Sequence, residues 1–151
     1  AELLRDTRTG NEHPVEPRLL DVAYRIQCRF DAPELRVLSG YRTPRGPRAS
    51  NHGRGRALDL IVPGASNDEV ARFARELGFV GVGVYTTSGF LHVDVRERSY
   101  FWVDGSAPGR RSRERGVLAD VAKRSDGAAL ARGERGLGPF FVTGEVDATL
   151  R

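Results

Sequence analysis

The sequence predicts an α+β fold, a small antiparallel sheet flanked by helices, and three observations predict it. Two segments, at residues 17–30 and 66–77, place apolar residues at mixed three- and four-residue steps, the pattern of helices that pack one face on a core. Between residues 80 and 103 three β-rich runs follow one another across short turns. The chain has 151 residues, of which 39% are hydrophobic and 29% charged, enough for one core but not for two full domains. No apolar run approaches the roughly 18 residues of a membrane helix, which excludes an integral membrane segment.

The elements follow in order. Across residues 17–30, Leu19, Leu20, Val22, Ala23, Ile26 and Phe30 form the apolar stripe of an amphipathic helix. Cys28 falls on that helix and reads as a small buried hydrophobe, since no neighbour in sequence would activate its thiol. Residues 35–38 read as a short strand. Residues 40–55 hold Pro44, Gly46, Pro47 and Gly53, so they form a long loop, neither helix nor regular strand. A second strand at 57–62 ends at Pro63-Gly64. Ser66 and Glu69 then match a capping box, followed by Val70, Phe73, Ala74 and Leu77 on one face and Gly78 as the stop. The β-rich runs at 80–85, 90–95 and 100–103 read as an antiparallel meander. These elements make residues 1–104 the main domain. Residues 105–151 read as an extension that wraps the core or is partly disordered, with a short helix at 117–131 broken around Gly127.

Composition narrows the chemistry. One cysteine permits neither an internal disulfide nor a multi-cysteine metal site, so any metal is held by His, Asp or Glu. Methionine is absent. Ala1 therefore reads as a processed or trimmed end, and the lack of a leader in this chain carries no weight. Of the 24 basic residues only Lys123 is a lysine. Residues 41–56 hold Arg42, Arg45, Arg48, Arg54 and Arg56 and no acid, a local charge of +5 around His52 in a chain of net charge +4. The basic run at 109–116 suggests nucleic acid only weakly, because no aromatic residue interleaves with it and no recognition motif is present.

Two short patterns carry candidate chemistry. In SNHGRGRALDL, His52 and Asp59 are seven apart, which in continuous strand would separate them by about 23 Å on opposite faces. Gly53 and Gly55 remove that obstacle by letting the backbone fold back. In GFLHVDV, His92 and Asp94 are two apart on a strand and share a face. An imidazole and a carboxylate from each segment then converge as zinc-type ligands. The ordinary structural alternatives are a surface H-x-D pair and an aspartate that caps backbone amides. His13, beside Pro14, reads as a solvated loop residue.

The runs LSGYRTP, SNHGRGRALDL, GVGVYTTSGFLHVDV and YFWVD resemble the bacterial zinc murein peptidases of the LAS type, the group of lysostaphin, the D-Ala-D-Ala metallopeptidases and the hedgehog signalling domain, and within it the murein endopeptidase-like branch with an H-x-D ending. The resemblance covers about residues 15–104. It implies a hedgehog/DD-peptidase-like fold, hydrolysis of amide bonds in peptidoglycan peptides, a periplasmic or secreted location, and one zinc per chain held by His52, Asp59 and His92. Many relatives place an acidic general base three residues before the second histidine, and here that position is Gly89. Asp94 is the acid offered instead and reads as the catalytic general base, the alternative being a residue that orients a ligand. Arg42 would stabilise an oxyanion or grip a substrate carboxylate, with pairing to a core acid as the structural alternative. Ser50 and Tyr85 would line the cleft and bind substrate, and Tyr41 and Trp102 would pack.

Two functions of different class follow. The leading one is a zinc amidohydrolase acting on peptidoglycan peptides as a monomer, with endopeptidase and carboxypeptidase action both open. The other is a zinc-containing binding module of the same fold without hydrolysis, made credible by Gly89. Metal-dependent amide cleavage separates them.

Overall fold

The computed structural model describes residues 5–46 and 50–138. Its elements in chain order are α1 (Pro17–Arg29), β1 (Arg36–Ser39), a single 3-10 turn (His52–Arg54), β2 (Ala57–Ile61), α2 (Asn67–Ala74), β3 (Val80–Tyr85), β4 (Phe90–Val95), β5 (Tyr100–Asp104), β6 (Glu114–Val117) and α3 (Ala119–Ala131). The α+β expectation is met. Among the described residues no helix is long and apolar enough to cross a membrane.

Proline at the start of α1 fixes a helical φ where the N–H has no partner to lose. Leu19, Val22 and Ile26 turn inward from that helix. Cys28 is exposed, against expectation: it lies two residues past Ile26, about 200° round the helix from the buried stripe. The capping box of α2 is complete, with Glu69 N–H donating to Ser66 Oγ at 3.2 Å and Ser66 N–H donating to the Glu69 carboxylate at 3.0 Å.

The six strands lie in the order β1-β2-β4-β3-β5-β6. All pairs are antiparallel except β3 with β5. The expected meander is therefore wrong at its last step. The free side of β4 is taken by β2, so the chain after β4 passes the start of β3 and runs parallel to it on its other side. Hydrogen bonds fix that crossing: Arg96 N–H to Phe79 O at 3.0 Å, and Val80 N–H to Ser99 Oγ at 3.1 Å. Asp126 of α3 holds both ends, accepting from Phe79 N–H at 2.7 Å and Ser99 N–H at 2.8 Å.

Two further differences lie in the extension. Glu114–Val117 forms an edge strand that the sequence did not announce, because Glu-Arg-Gly-Val lacks apolar alternation. Helix α3 runs unbroken through Gly127. Its buried Ala122, Ser125 and Ala129 lie on one face, and the small Ala129 packs against Gly78, so glycine on the opposite face costs helix propensity without breaking it.

The two faces of the sheet have separate tasks. Leu58, Leu60, Val80, Val82, Leu91, Val93 and Phe101 face the helices and join Leu19, Ile26, Val70 and Ala74 in one buried core. The alternate residues face the other way, and the polar ones among them build the site.

Asp104, at the end of β5, organises the loop that leads to β6. Its carboxylate accepts from Ser106 N–H at 2.8 Å, Ser112 Oγ at 2.7 Å and Arg113 N–H at 3.3 Å. The Ser106 hydroxyl and these other donors pull its pKa down to about 2. A carboxyl depressed below its unfolded value, about 3.9, stabilises the fold above that value and loses the contribution as pH falls through 2. Asp104→Asn is expected to be less stable than the parent chain at pH 7, with the difference shrinking between pH 4 and 2. Denaturant unfolding of both chains across that range measures it, and a gap independent of pH would contradict it.

Candidate metal centre

One row of paired residues crosses the polar face: Ser39, Asp59, His92, Gly83 and Trp102, on β1, β2, β4, β3 and β5. The next row is Ala57, Asp94, Gly81 and Tyr100. The alternating GVGV of β3 thus has a function on each face, valines toward the core and glycines toward the site. A Cβ at Gly83 would collide with the Trp102 indole, and one at Gly81 with the Asp94 carboxylate. Glycine here makes room for the side chains on either side.

His52 reaches this row from the long loop. Its 3-10 turn is closed by Gly55, at φ 67, whose N–H returns to His52 O at 3.2 Å. A Cβ at Gly55 would strike Pro14 O. The turn sets His52 Nε2 at 3.3 Å from Asp59 Oδ1, so the fold-back through Gly53 and Gly55 brings the two residues together.

Hydrogen bonding fixes the tautomers. His52 Nδ1 lies 2.8 Å from Gly40 O, and a carbonyl only accepts, so Nδ1 carries the hydrogen and Nε2 presents a lone pair. That Nε2 is buried without a hydrogen-bond partner. His92 Nε2 donates to Asp94 Oδ2 at 2.8 Å and Nδ1 donates to Asp59 Oδ1 at 3.0 Å. Burial lowers the pKa of this ring but the two carboxylates outweigh it and raise it, so a metal at Nδ1 would take the place of a proton. Two imidazole nitrogens and a carboxylate oxygen therefore converge, with ligand atoms within 4.8 Å of one another, all three residues being buried. The unpartnered Nε2 of His52 beside the Asp59 carboxylate leaves room for a cation, and a His-Asp-His set suits zinc.

Asp94 is fully buried. Oδ1 accepts from Gly81 N–H at 3.0 Å and Arg96 Nε at 2.6 Å, and Oδ2 accepts from His92 and from Arg96 Nη2. Burial pushes its carboxyl upward, but the His92 and Arg96 hydrogen bonds outweigh it and hold the group well below the usual carboxylate range. Arg96 in turn lies over the rings of Trp102 and Tyr100, 5.5 and 5.8 Å from their centroids. The same opposition acts on Asp59, where burial raises the pKa and the two histidines bring it down further.

Arg42 extends one guanidinium nitrogen to Asp59 Oδ2 at 3.2 Å, yet its side chain stays 47% exposed. It pairs with an acid and faces solvent at once. Beside it opens a cleft of about 780 Å³, lined among others by Arg5, Arg8, Val37, Arg42, Ser50 and His52. Ser50 Oγ accepts from Gly53 N–H at 3.3 Å and so helps shape the turn that carries His52. Tyr85 lies on the other side of His92: its hydroxyl accepts from Trp102 Nε1 at 3.3 Å, and its ring stacks on Phe90. Burial raises its pKa, which keeps the phenol neutral. Tyr41 stacks on His13 with centroids 5.1 Å apart, so His13, a half-buried loop residue, also packs against the long loop. Arg48 lies outside the described residues.

Sequence reasoning missed Arg96, the site-facing glycines and the buried Asp6. Arg96 had a signal, since His92, Asp94 and Arg96 stand at i, i+2 and i+4 of one strand and its exit.

Comparison with known proteins agrees with this geometry. The chain is 35% identical over 105 residues to "Probable peptidoglycan L,D-endopeptidase MepK" of Haemophilus influenzae, covering 61% of this chain and 56% of that protein. It is 29% identical over 102 residues to "Peptidoglycan L,D-endopeptidase MepK" of Escherichia coli K12 and of Shigella flexneri, covering 60% of this chain and 56% of each. The chain thus spans about half the length of the curated relatives it matches. No solved structure matches it. The family Peptidase_M15_2, peptidoglycan L,D-endopeptidase MepK, matches residues 1–100, and the chain belongs to that family.

Proposed function

We propose that this chain is a zinc-dependent murein peptidase that hydrolyses amide bonds in peptidoglycan peptides, and that it acts in the bacterial cell envelope, periplasmic or secreted. The observation that carries the reading is the buried, unpartnered Nε2 of His52, which converges with His92 Nδ1 on the Asp59 carboxylate next to an arginine-lined cleft that His52 borders. His52, Asp59 and His92 would hold one zinc per chain. When bound, zinc supplies Lewis acidity toward a scissile carbonyl and activates water. The names of the curated relatives favour endopeptidase over carboxypeptidase action.

The chain's own residues divide the remaining work. Gly40 O and Asp94 each take the outer N–H of a histidine and so orient the inner nitrogen toward Asp59, where a metal would be held. Full burial and four accepted hydrogen bonds support Asp94 as a positioning residue, in place of the general-base role. Arg42, anchored to Asp59 and half exposed, would meet a carbonyl oxygen as it gains charge. Arg45, exposed on the same cleft, would attract the acidic stem peptides.

Digestion of purified muropeptides with mass analysis of the products tests the reading. Cleavage that stops with a chelator and returns with zinc is expected. A zinc-loaded chain that releases no product would overturn it and leave a hydrolytically silent zinc module of the same fold.

Kinetics of two arginine variants separate chemistry from attraction. Arg42→Ala is expected to lower kcat about a hundredfold with little change in KM. Arg45→Ala should keep kcat and raise KM at low salt, an effect that fades at high salt. Equal, small effects in both would make the loop only a solvated face.

A further inference from the structure

We propose that Asp6 is a positioning residue for this reaction, acting through the loop that carries Arg42. The inference rests on the role of Arg42 given above, and the hydrogen bonds of the Asp6 carboxylate go to Thr43 and Arg8, not to His52, Asp59 or His92.

Residues 5–16 form a strap along the long loop. Arg5 and Glu12 face each other across an isolated bridge and pair at 2.7 Å. The turn between them closes with Asp6 N–H to Asn11 O at 2.8 Å and Gly10 N–H to Asp6 O at 2.7 Å. Further on, His13 stacks on Tyr41 and Glu16 N–H donates to Gly55 O at 2.9 Å. The strap therefore holds the loop at both ends, next to Arg42 and just after His52.

Asp6 is the pin at the Arg42 end. Its side chain is buried, at 1% exposure. It accepts from Thr43 N–H at 2.7 Å, from Arg8 N–H at 2.9 Å and from the Arg8 guanidinium at 3.2 Å. Thr43 is further held by its hydroxyl, 2.8 Å from Thr9 Oγ1 and 3.3 Å from Asn11 Nδ2. On the other side of Arg42 its own N–H donates to His52 O at 3.3 Å. The backbone at Arg42 is thus fixed from two directions, by the strap through Thr43 and by the histidine turn. The side chain, with four torsions, starts from a fixed base and ends on Asp59. The Thr43 and Arg8 amides hold the Asp6 carboxyl well below the usual carboxylate range.

A buried carboxylate is a costly way to fasten a loop unless placement matters. A charge-assisted acceptor for two backbone amides gives a shorter, stiffer tether than a neutral side chain. Oxyanion stabilisation depends on donors being placed before the charge develops, and a displacement of about 1 Å costs up to a hundredfold in rate. Asp6 borders the cleft, but its carboxylate is turned to the Thr43 and Arg8 amides and bonds no metal ligand, so the proposed effect passes through Arg42.

A double-mutant cycle of zinc-loaded Asp6→Asn, Arg42→Ala and the combined variant tests this. Residue-resolved hydrogen exchange of the Thr43 amide in the parent chain and in Asp6→Asn accompanies it. Asp6→Asn is expected to keep one zinc per chain and its KM, to lower kcat tenfold or more, and to speed Thr43 exchange at least tenfold. In the Arg42→Ala background the same change should cost less than twofold. Losses that multiply, an unchanged kcat, an unchanged Thr43 exchange rate, or an Asp6→Asn chain that does not fold would each overturn the proposal. If the parent chain cleaves nothing, the proposed function fails on its own. The NMR signal of the Arg42 Nε–H then decides the Asp6 role: a shift or broadening in Asp6→Asn supports it, and no change overturns it.

Discussion

Replacing His92 by alanine is expected to give a folded chain that retains no zinc after desalting and cleaves no muropeptide. His92 sits mid-strand on β4 between Asp59 and Gly83, and its ring touches Asp59, Asp94 and Trp102. Its removal takes away one of three ligands, and the two that remain, His52 and Asp59, fall short of a zinc site. The fold should survive, because the apolar core lies on the opposite face of the sheet. Each carboxylate also keeps a cation, Asp59 with Arg42 and Asp94 with Arg96. Elemental analysis against protein concentration, with a thermal melt to confirm folding, measures the result. The combined His52→Ala and His92→Ala chain is the stricter case, and full zinc occupancy there would exclude this cluster as the metal centre.

The parts of this molecule that were legible in the sequence are those written in short-range pattern. Helix α2 was marked by its capping box and apolar face, and β3 and β4 by β-branched runs with glycines at the turns. His52, Asp59 and His92 were readable because one strand period puts His92 and Asp94 on one face and two glycines let the loop turn back. What pattern did not carry was the neighbour of each strand. The four residues between β4 and β5 have the length of a hairpin loop, and only their contacts with Phe79, Val80 and Asp126 send the chain across β3. Strand β6 was hidden because a short polar edge strand exposed to water needs no apolar alternation. The strap of residues 5–16 was hidden for another reason. Asp6 and Thr43 are 37 positions apart, and nothing local in either segment announces the other.

Asp94 is where the two views differ most in consequence, and Asp94→Asn is expected to weaken zinc binding 10- to 100-fold while excess zinc restores turnover. The reasoning follows the four hydrogen bonds. The carboxylate accepts from His92, Gly81 and both arms of Arg96. An amide keeps one acceptor oxygen and turns two N–H groups toward donors. If the oxygen stays with His92, the amide nitrogen confronts Arg96. If it turns to Arg96, the His92 N–H loses its acceptor and the ring no longer presents Nδ1 reliably to the metal. Either arrangement costs a charge-assisted hydrogen bond in a buried place, about 2 kcal/mol, and the metal binds an imidazole that is less fixed and less basic. A general base would behave otherwise. Its amide would leave zinc affinity intact and lower turnover by about two to four orders of magnitude at every zinc concentration. Arg96→Gln adds an independent reading, since Arg96 touches no metal ligand but holds both Asp94 oxygens. A positioning role makes it weaken zinc in the same direction by a smaller factor, whereas a base released from its arginine would gain basicity and keep its metal. Titration of turnover against free zinc in both variants separates the two roles, and normal zinc affinity with normal hydrolysis in Asp94→Asn would exclude both.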